Sequence, residues 1–103
     1  MSYQTEFPAE DHPPADVVAW LEAHGFEDQS WHNNAHPSWD KGRICVWATS
    51  KETAEAERGS QFCLTEINSD GEHCDGTNVR IFNDWDSCVL EIESILEHGW
   101  LPV

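Results

Sequence analysis

The residue types best suited to chemistry in this chain are its 4 cysteines and 6 histidines. A thiolate acts as nucleophile or metal ligand, and a neutral imidazole as base or ligand. Their spacing supports neither role. Cys45, Cys63, Cys74 and Cys88 contain no Cys-x-x-Cys pair, which is the strong signature of structural zinc. His32 and His36 are four apart, a spacing that shares one face of a helix, but Asn33, Asn34 and Pro37 argue against a helix there. His73-Cys74 is the one adjacent imidazole–thiol pair. In extended chain its two side chains point apart, and no oxyanion-forming segment accompanies it. No catalytic group, metal or cofactor is expected. A metal- or thiol-dependent enzyme built on His73 and Cys74 is the weakest of three functional readings.

The carboxylates carry more information. Asp and Glu number 20 against 5 Lys and Arg, a formal charge of −15 with a pI near 4.4. Direct contact with nucleic acid is excluded on this balance, because phosphate contacts need Lys and Arg; anionic membrane surfaces are excluded by the same argument. No apolar run approaches the ~20 residues that span a bilayer. The N-terminus has neither a basic region nor an apolar core, so a cytoplasmic protein is expected. The acids are also unevenly placed. Residues 1–40 hold 8 acids and residues 81–103 hold 5, and neither stretch has a Lys or Arg; all 5 bases lie between 41 and 80.

Two helices must position those acids. Pro14 suits a first helical turn, and Val17, Trp20 and Leu21 then recur at helical spacing up to Gly25, with Phe26 able to fold back on Leu21. Trp85, Cys88, Val89, Ile92, Ile95 and Leu96 form a second stripe from Asp84 to His98, capped by Asn83 or Asp84 and closed by Gly99 and Trp100. Opposite that stripe Asp86, Leu90, Glu93 and Glu97 share a face, with Glu91 on an adjacent row; Asp16 and Glu22 extend the acid onto the first helix. Helices usually mix signs at i, i+4, since opposite charges help by ~0.2–0.5 kcal/mol and like charges cost similar amounts. Both helices forgo that help, which favours a functional acidic face over a merely solvated one.

Between the helices, residues 43–49, 61–67 and 78–82 read as strands, and Asp40-Lys41-Gly42 could close a hairpin with one further strand. The expected fold is α+β: an antiparallel three- to four-stranded sheet with two helices on one face, αβββα-like, spanning a single domain at 13–103 behind a flexible acidic leader at 1–12. Alternation assigns Ile44, Val46, Phe62, Leu64, Val79 and Ile81 to one sheet face, and Cys45, Trp47, Cys63, Ile67 and Phe82 to the other. Trp31 and Trp39 could fold over that second face. Left bare, it becomes an interface through Trp47 and Phe82, and a homodimerising or assembly protein is the second reading.

In size, charge and element order across residues 14–100 the chain resembles small acidic phage proteins that counter host defence, anti-CRISPR proteins and other DNA mimics among them. The stretch Ser30-Trp31-His32-Asn33-Asn34 with Pro37-Ser38 is also similar to segments of phage and prophage proteins. The resemblance implies an inhibitor acting in the host cytoplasm that blocks the basic nucleic-acid-binding groove of a protein partner such as a CRISPR effector complex. On the acidic rows above, contact would fall to Asp16, Glu22, Asp86, Leu90, Glu91, Glu93 and Glu97. Clustered carboxylates repel one another, and the Debye length falls from ~30 Å at 0.01 M salt to ~10 Å at 0.1 M. The melting temperature should therefore rise over that range; calorimetry giving a flat or falling value would contradict a clustered acidic surface.

Overall fold

In the computed structural model, which describes residues 2–30, 32, 36–67 and 78–100, the chain begins with a one-turn helix α1 (Tyr3–Glu6) and a 3-10 turn (Ala9–Asp11). There follow α2 (Ala15–Ala23), β1 (Glu27–Asp28), β2 (Ser38–Lys41), β3 (Ile44–Ala48), α3 (Lys51–Ala56), β4 (Phe62–Glu66), β5 (Val79–Phe82) and α4 (Trp85–His98). The fold is α+β. Its sheet has five antiparallel strands in chain order β1 to β5, so two short strands precede the three strongest ones. The hairpin anticipated at Asp40-Lys41-Gly42 joins β2 to β3. Lys41 pairs Ile44 across a two-residue loop, and Gly42 supplies the positive φ of 59° that such a turn requires.

Both long helices end as their sequences imply. Gly25 takes φ 85°, its N–H donates to the Glu22 carbonyl, and the Phe26 N–H donates to the Leu21 carbonyl at 3.0 Å. That bond pattern is the Schellman motif. Asp84, rather than Asn83, caps α4, accepting from the Ser87 N–H at 3.1 Å and the Ser87 hydroxyl at 2.7 Å. These two bonds hold the Asp84 carboxyl below the usual carboxylate range. Helix α3 is capped in the same way by the Ser50 hydroxyl, to which the Thr53 N–H donates.

The core lies between the two long helices and one face of the sheet. Val17, Val18 and Leu21 of α2 and Cys88, Ile92 and Ile95 of α4 meet Trp39, Ile44, Val46, Phe62 and Leu64. The helices touch where the Trp20 and Trp85 rings pack edge to face, 5.6 Å between centroids. Leu96, expected in the buried stripe, is 45% exposed. It sits ~80° round the helix from Cys88, at the stripe's edge.

The N-terminal segment, expected as a flexible leader, makes contacts with the rest of the domain. Phe7 is buried, the Tyr3 ring packs 5.4 Å from Trp39, and the Tyr3 N–H donates to Asp28. The hydroxyls of Ser50 and Thr49 donate to the Glu10 and Asp11 carbonyls, at 2.6 and 3.1 Å. His32 donates to Glu6 at 2.9 Å and draws that carboxyl below its ordinary range. Two aromatic anchors and satisfied carbonyls thus dock a segment whose proline and acid content reads as loose.

The two unequal glycines make the capping argument testable. A Cβ at Gly25 would meet only ordinary contacts with Lys41 at 3.7 Å, so the obstacle to Gly25→Ala is the left-handed backbone. We expect a loss of about 1 kcal/mol, a fall in Tm of roughly 4–8 °C for a domain of this size. Gly59→Ala, with open space and no positive φ, should leave the thermal melt almost unchanged or slightly raised.

Candidate functional site

On α4, Asp86, Leu90, Glu93 and Glu97 are all exposed, Leu90 by 69%. At 100° per residue they span only ~60° of the helix, so they form one row facing away from the core. Glu91 does not share it. It lies ~140° round from Asp86, half-buried, where its charge bears on the Cys88 thiol. On α2, Asp16 and Glu22 are both exposed but six residues, hence ~120°, apart. They flank α2 on two sides and make no second row. The α4 row is the coherent part of the predicted surface.

Other acids are already employed. Asp28 accepts from the N–H groups of Tyr3 and Ser30, Asp84 caps α4, and buried Glu66 accepts from Arg43 at 2.7 Å and Asn78 at 2.8 Å. Among the described residues, Arg43–Glu66 is the one ion pair that a Lys or Arg forms. The exposed carboxylates of α2 and α4 have no Lys or Arg partner within 4.0 Å there. These helices contain no Lys or Arg of their own.

The second sheet face differs from expectation in its last strand. Register pairs Trp47 with Cys63 and Cys63 with Ile81, and it pairs Phe62 with Phe82 and Leu64 with Arg80. Directly paired residues share a face. Val79 and Ile81 therefore join Trp47, Cys45 and Cys63 on the face away from the helices, exposed by 42% and 63%. Phe82, assigned there from alternation, instead packs against the core with Trp85 and Trp100. Polar clamps at both ends of β5 set this phase: the Gln61 N–H donates to the Asn83 side chain, and the Glu66 N–H to the Asn78 carbonyl. Trp39, expected to cover the second face, lies in the core opposite Val46; Trp31 falls outside the described residues.

The thiols are placed for packing. Burial, reinforced by the Asp40 charge, pushes the Cys45 thiol up, and burial does the same at Cys63. Burial first, then the charges of Cys63 and Glu91, push Cys88 up to about 12. Among the described residues no three His, Cys, Asp or Glu side chains gather to hold a metal ion; His73 and Cys74 lie outside them. The chain matches no family model, no curated protein and no solved structure.

What sequence reasoning missed is the meeting of the two helix ends. The Lys41 ammonium donates to the His24 carbonyl at the end of α2, at 2.6 Å, and the Trp100 indole N–H, just past α4, donates to the Arg43 carbonyl at 2.9 Å. Both partners sit on the β2–β3 hairpin. The one signal for it was the shared ending His-Gly-aromatic at residues 24–26 and 98–100.

Raised thiol pKa values predict poor reactivity. Iodoacetamide at pH 8 should leave Cys45 and Cys88 unmodified in the native protein and alkylate both in denaturant, as read by peptide mass mapping. Rapid native labelling of either would contradict the packing described.

Proposed function

We propose that this protein is a stoichiometric inhibitor that docks the acidic row of α4, supported by the acids of α2, into a basic nucleic-acid-binding groove of a partner protein. The observation that carries the reading is the set of exposed helix carboxylates without a Lys or Arg partner among the described residues, on two helices that hold no Lys or Arg. Asp86 and Glu93 stand two helical turns apart, ~10.5 Å, with Leu90 between them, and Glu97 follows Glu93 by about one turn, ~6 Å, against one phosphate per ~3.4 Å along a DNA strand. That order of spacing suits Lys and Arg held in a groove, which pair with carboxylates through charge-assisted bonds. Leu90 within the row supplies apolar contact that charge alone lacks. The action is non-enzymatic, in the host cytoplasm, and a CRISPR effector complex is the partner class that the resemblance implies.

A second reading rests on Ile81 and Val79, exposed on the second face beside Trp47. A homodimer through that face would show as twice the monomer mass in size-exclusion chromatography with light scattering, and a charge at Ile81 would abolish it.

The inhibitor reading is tested by competition. Added to a CRISPR effector complex, the protein should displace target DNA at a 1:1 ratio in a mobility-shift assay, and less well as salt rises. Reversing both charges, Glu93→Lys with Glu97→Lys, should weaken inhibition by about tenfold or more while the circular dichroism spectrum stays unchanged. Full inhibition by that variant would remove the α4 row from the site.

A further inference from the structure

Beside the acidic row lies a cleft of about 420 Å³ between the β2–β3 hairpin and the end of α4. Its walls are Ile44, Ile95, Leu96 and Trp100, with Lys41 and Arg43 at the rim. Among the described residues no Asp or Glu lines it. Trp100 is a fixed wall: its indole N–H is bonded to Arg43, and the Arg80 guanidinium stands 5.7 Å over its ring. The Leu96 side remains open, as that residue's 45% exposure shows.

We propose that this cleft is the anchor pocket of the acidic interface, receiving one aromatic or branched aliphatic side chain that projects from the partner's basic surface. The inference rests on the docking role proposed above and adds the partner's chemistry to it. Glu93 precedes Leu96 by three residues and is its surface neighbour, and Glu97, four residues on from Glu93, continues the acidic row on that same side. A side chain entering past Leu96 has these carboxylates along one side of it, which suits an apolar residue with a Lys or Arg beside it. Both rim bases already hold partners within the chain. Arg43 is paired with Glu66 and also donates to the Ile67 carbonyl, while Lys41 donates to the His24 carbonyl and lies over the Phe26 ring. A buried apolar anchor ringed by polar contacts is also where protein interfaces concentrate their binding energy.

The test uses the full chain and two short Lys/Arg-rich peptides, identical except that one has a central Trp where the other has Ser. Calorimetry and amide-shift titration are run at 0.15 M salt. The Trp peptide should bind about tenfold more tightly and alone shift the amides of Leu96, Gly99 and Gly42. Leu96→Gln keeps a good helix former at an exposed position and should bring the two peptides within twofold of each other without weakening the Ser peptide. Glu93→Lys with Glu97→Lys should weaken both. Equal affinity for the two peptides in the unsubstituted protein would overturn the pocket and leave the acidic docking surface standing. A Trp advantage that survives Leu96→Gln would also overturn it, by placing the anchor elsewhere. Binding of neither peptide would end the docking reading and the pocket with it.

Discussion

The arrangement depends on a debt that α2 and α4 cannot settle themselves. A helix end leaves carbonyls unpaired and carries about half a negative charge, which a cation nearby offsets. Neither helix has a Lys or Arg in its last turn. The β2–β3 hairpin meets both ends: Lys41 caps α2 through the His24 carbonyl, and the Arg43 carbonyl accepts from the Trp100 indole just past α4, which tethers that end without capping it. One tight turn thus fixes where both helices finish on the sheet. The outward direction of their acidic faces follows, because each apolar stripe must meet the sheet once its end is tethered. Gly25 and Gly99, both at positive φ, let the chain leave each helix at that point.

The legible parts of the fold were those where local chemistry and tertiary packing agree. Pro14, Gly25 and Phe26 bound α2, Asp84 and Gly99 bound α4, and β3 and β4 carry the β-branched and aromatic residues Ile44, Val46, Trp47, Phe62 and Thr65. Strand β5 was legible as a strand but not in its phase. Its sequence, Val79-Arg80-Ile81-Phe82, offers two β-branched residues on one face against an Arg and a Phe on the other, so alternation points Val and Ile inward. The Asn78 and Asn83 clamps override this. A slip of one residue inverts every side chain, and here the inward Arg80 is accommodated because it ends over the Trp100 ring at the edge of the core. No periodicity rule contains that partner, which stands twenty residues further along the chain.

The contacts of the N-terminal segment were not legible for a related reason. Prolines and acids are the composition of a mobile leader, and nothing local identifies Tyr3 and Phe7 as anchors. Their partners come from elsewhere in the chain: Trp39 and Asp28 for Tyr3, and the hydroxyls of Thr49, Ser50 and Thr53 for the carbonyls that follow. The hydroxyls are clustered where β3 gives way to α3, so one polar corner satisfies the backbone of the 3-10 turn.

The acids therefore fall into two populations that composition alone cannot separate. Asp28, Glu66 and Asp84 accept backbone or side-chain bonds that hold elements together, and Glu6 ties the first helix to His32. Asp86, Glu93 and Glu97 hold nothing together among the described residues beyond a loose Glu97–His98 pairing at 3.8 Å. Their mutual repulsion is a standing cost to the fold, of the order of the few tenths of a kcal/mol that like charges exact at helical spacing. A single Lys four residues along would turn that cost into a gain, and the chain places none on either long helix. Among the described residues, carboxylates kept in line around an exposed Leu90, beside a cleft with apolar walls, join charge and shape on a surface that the fold does not use internally.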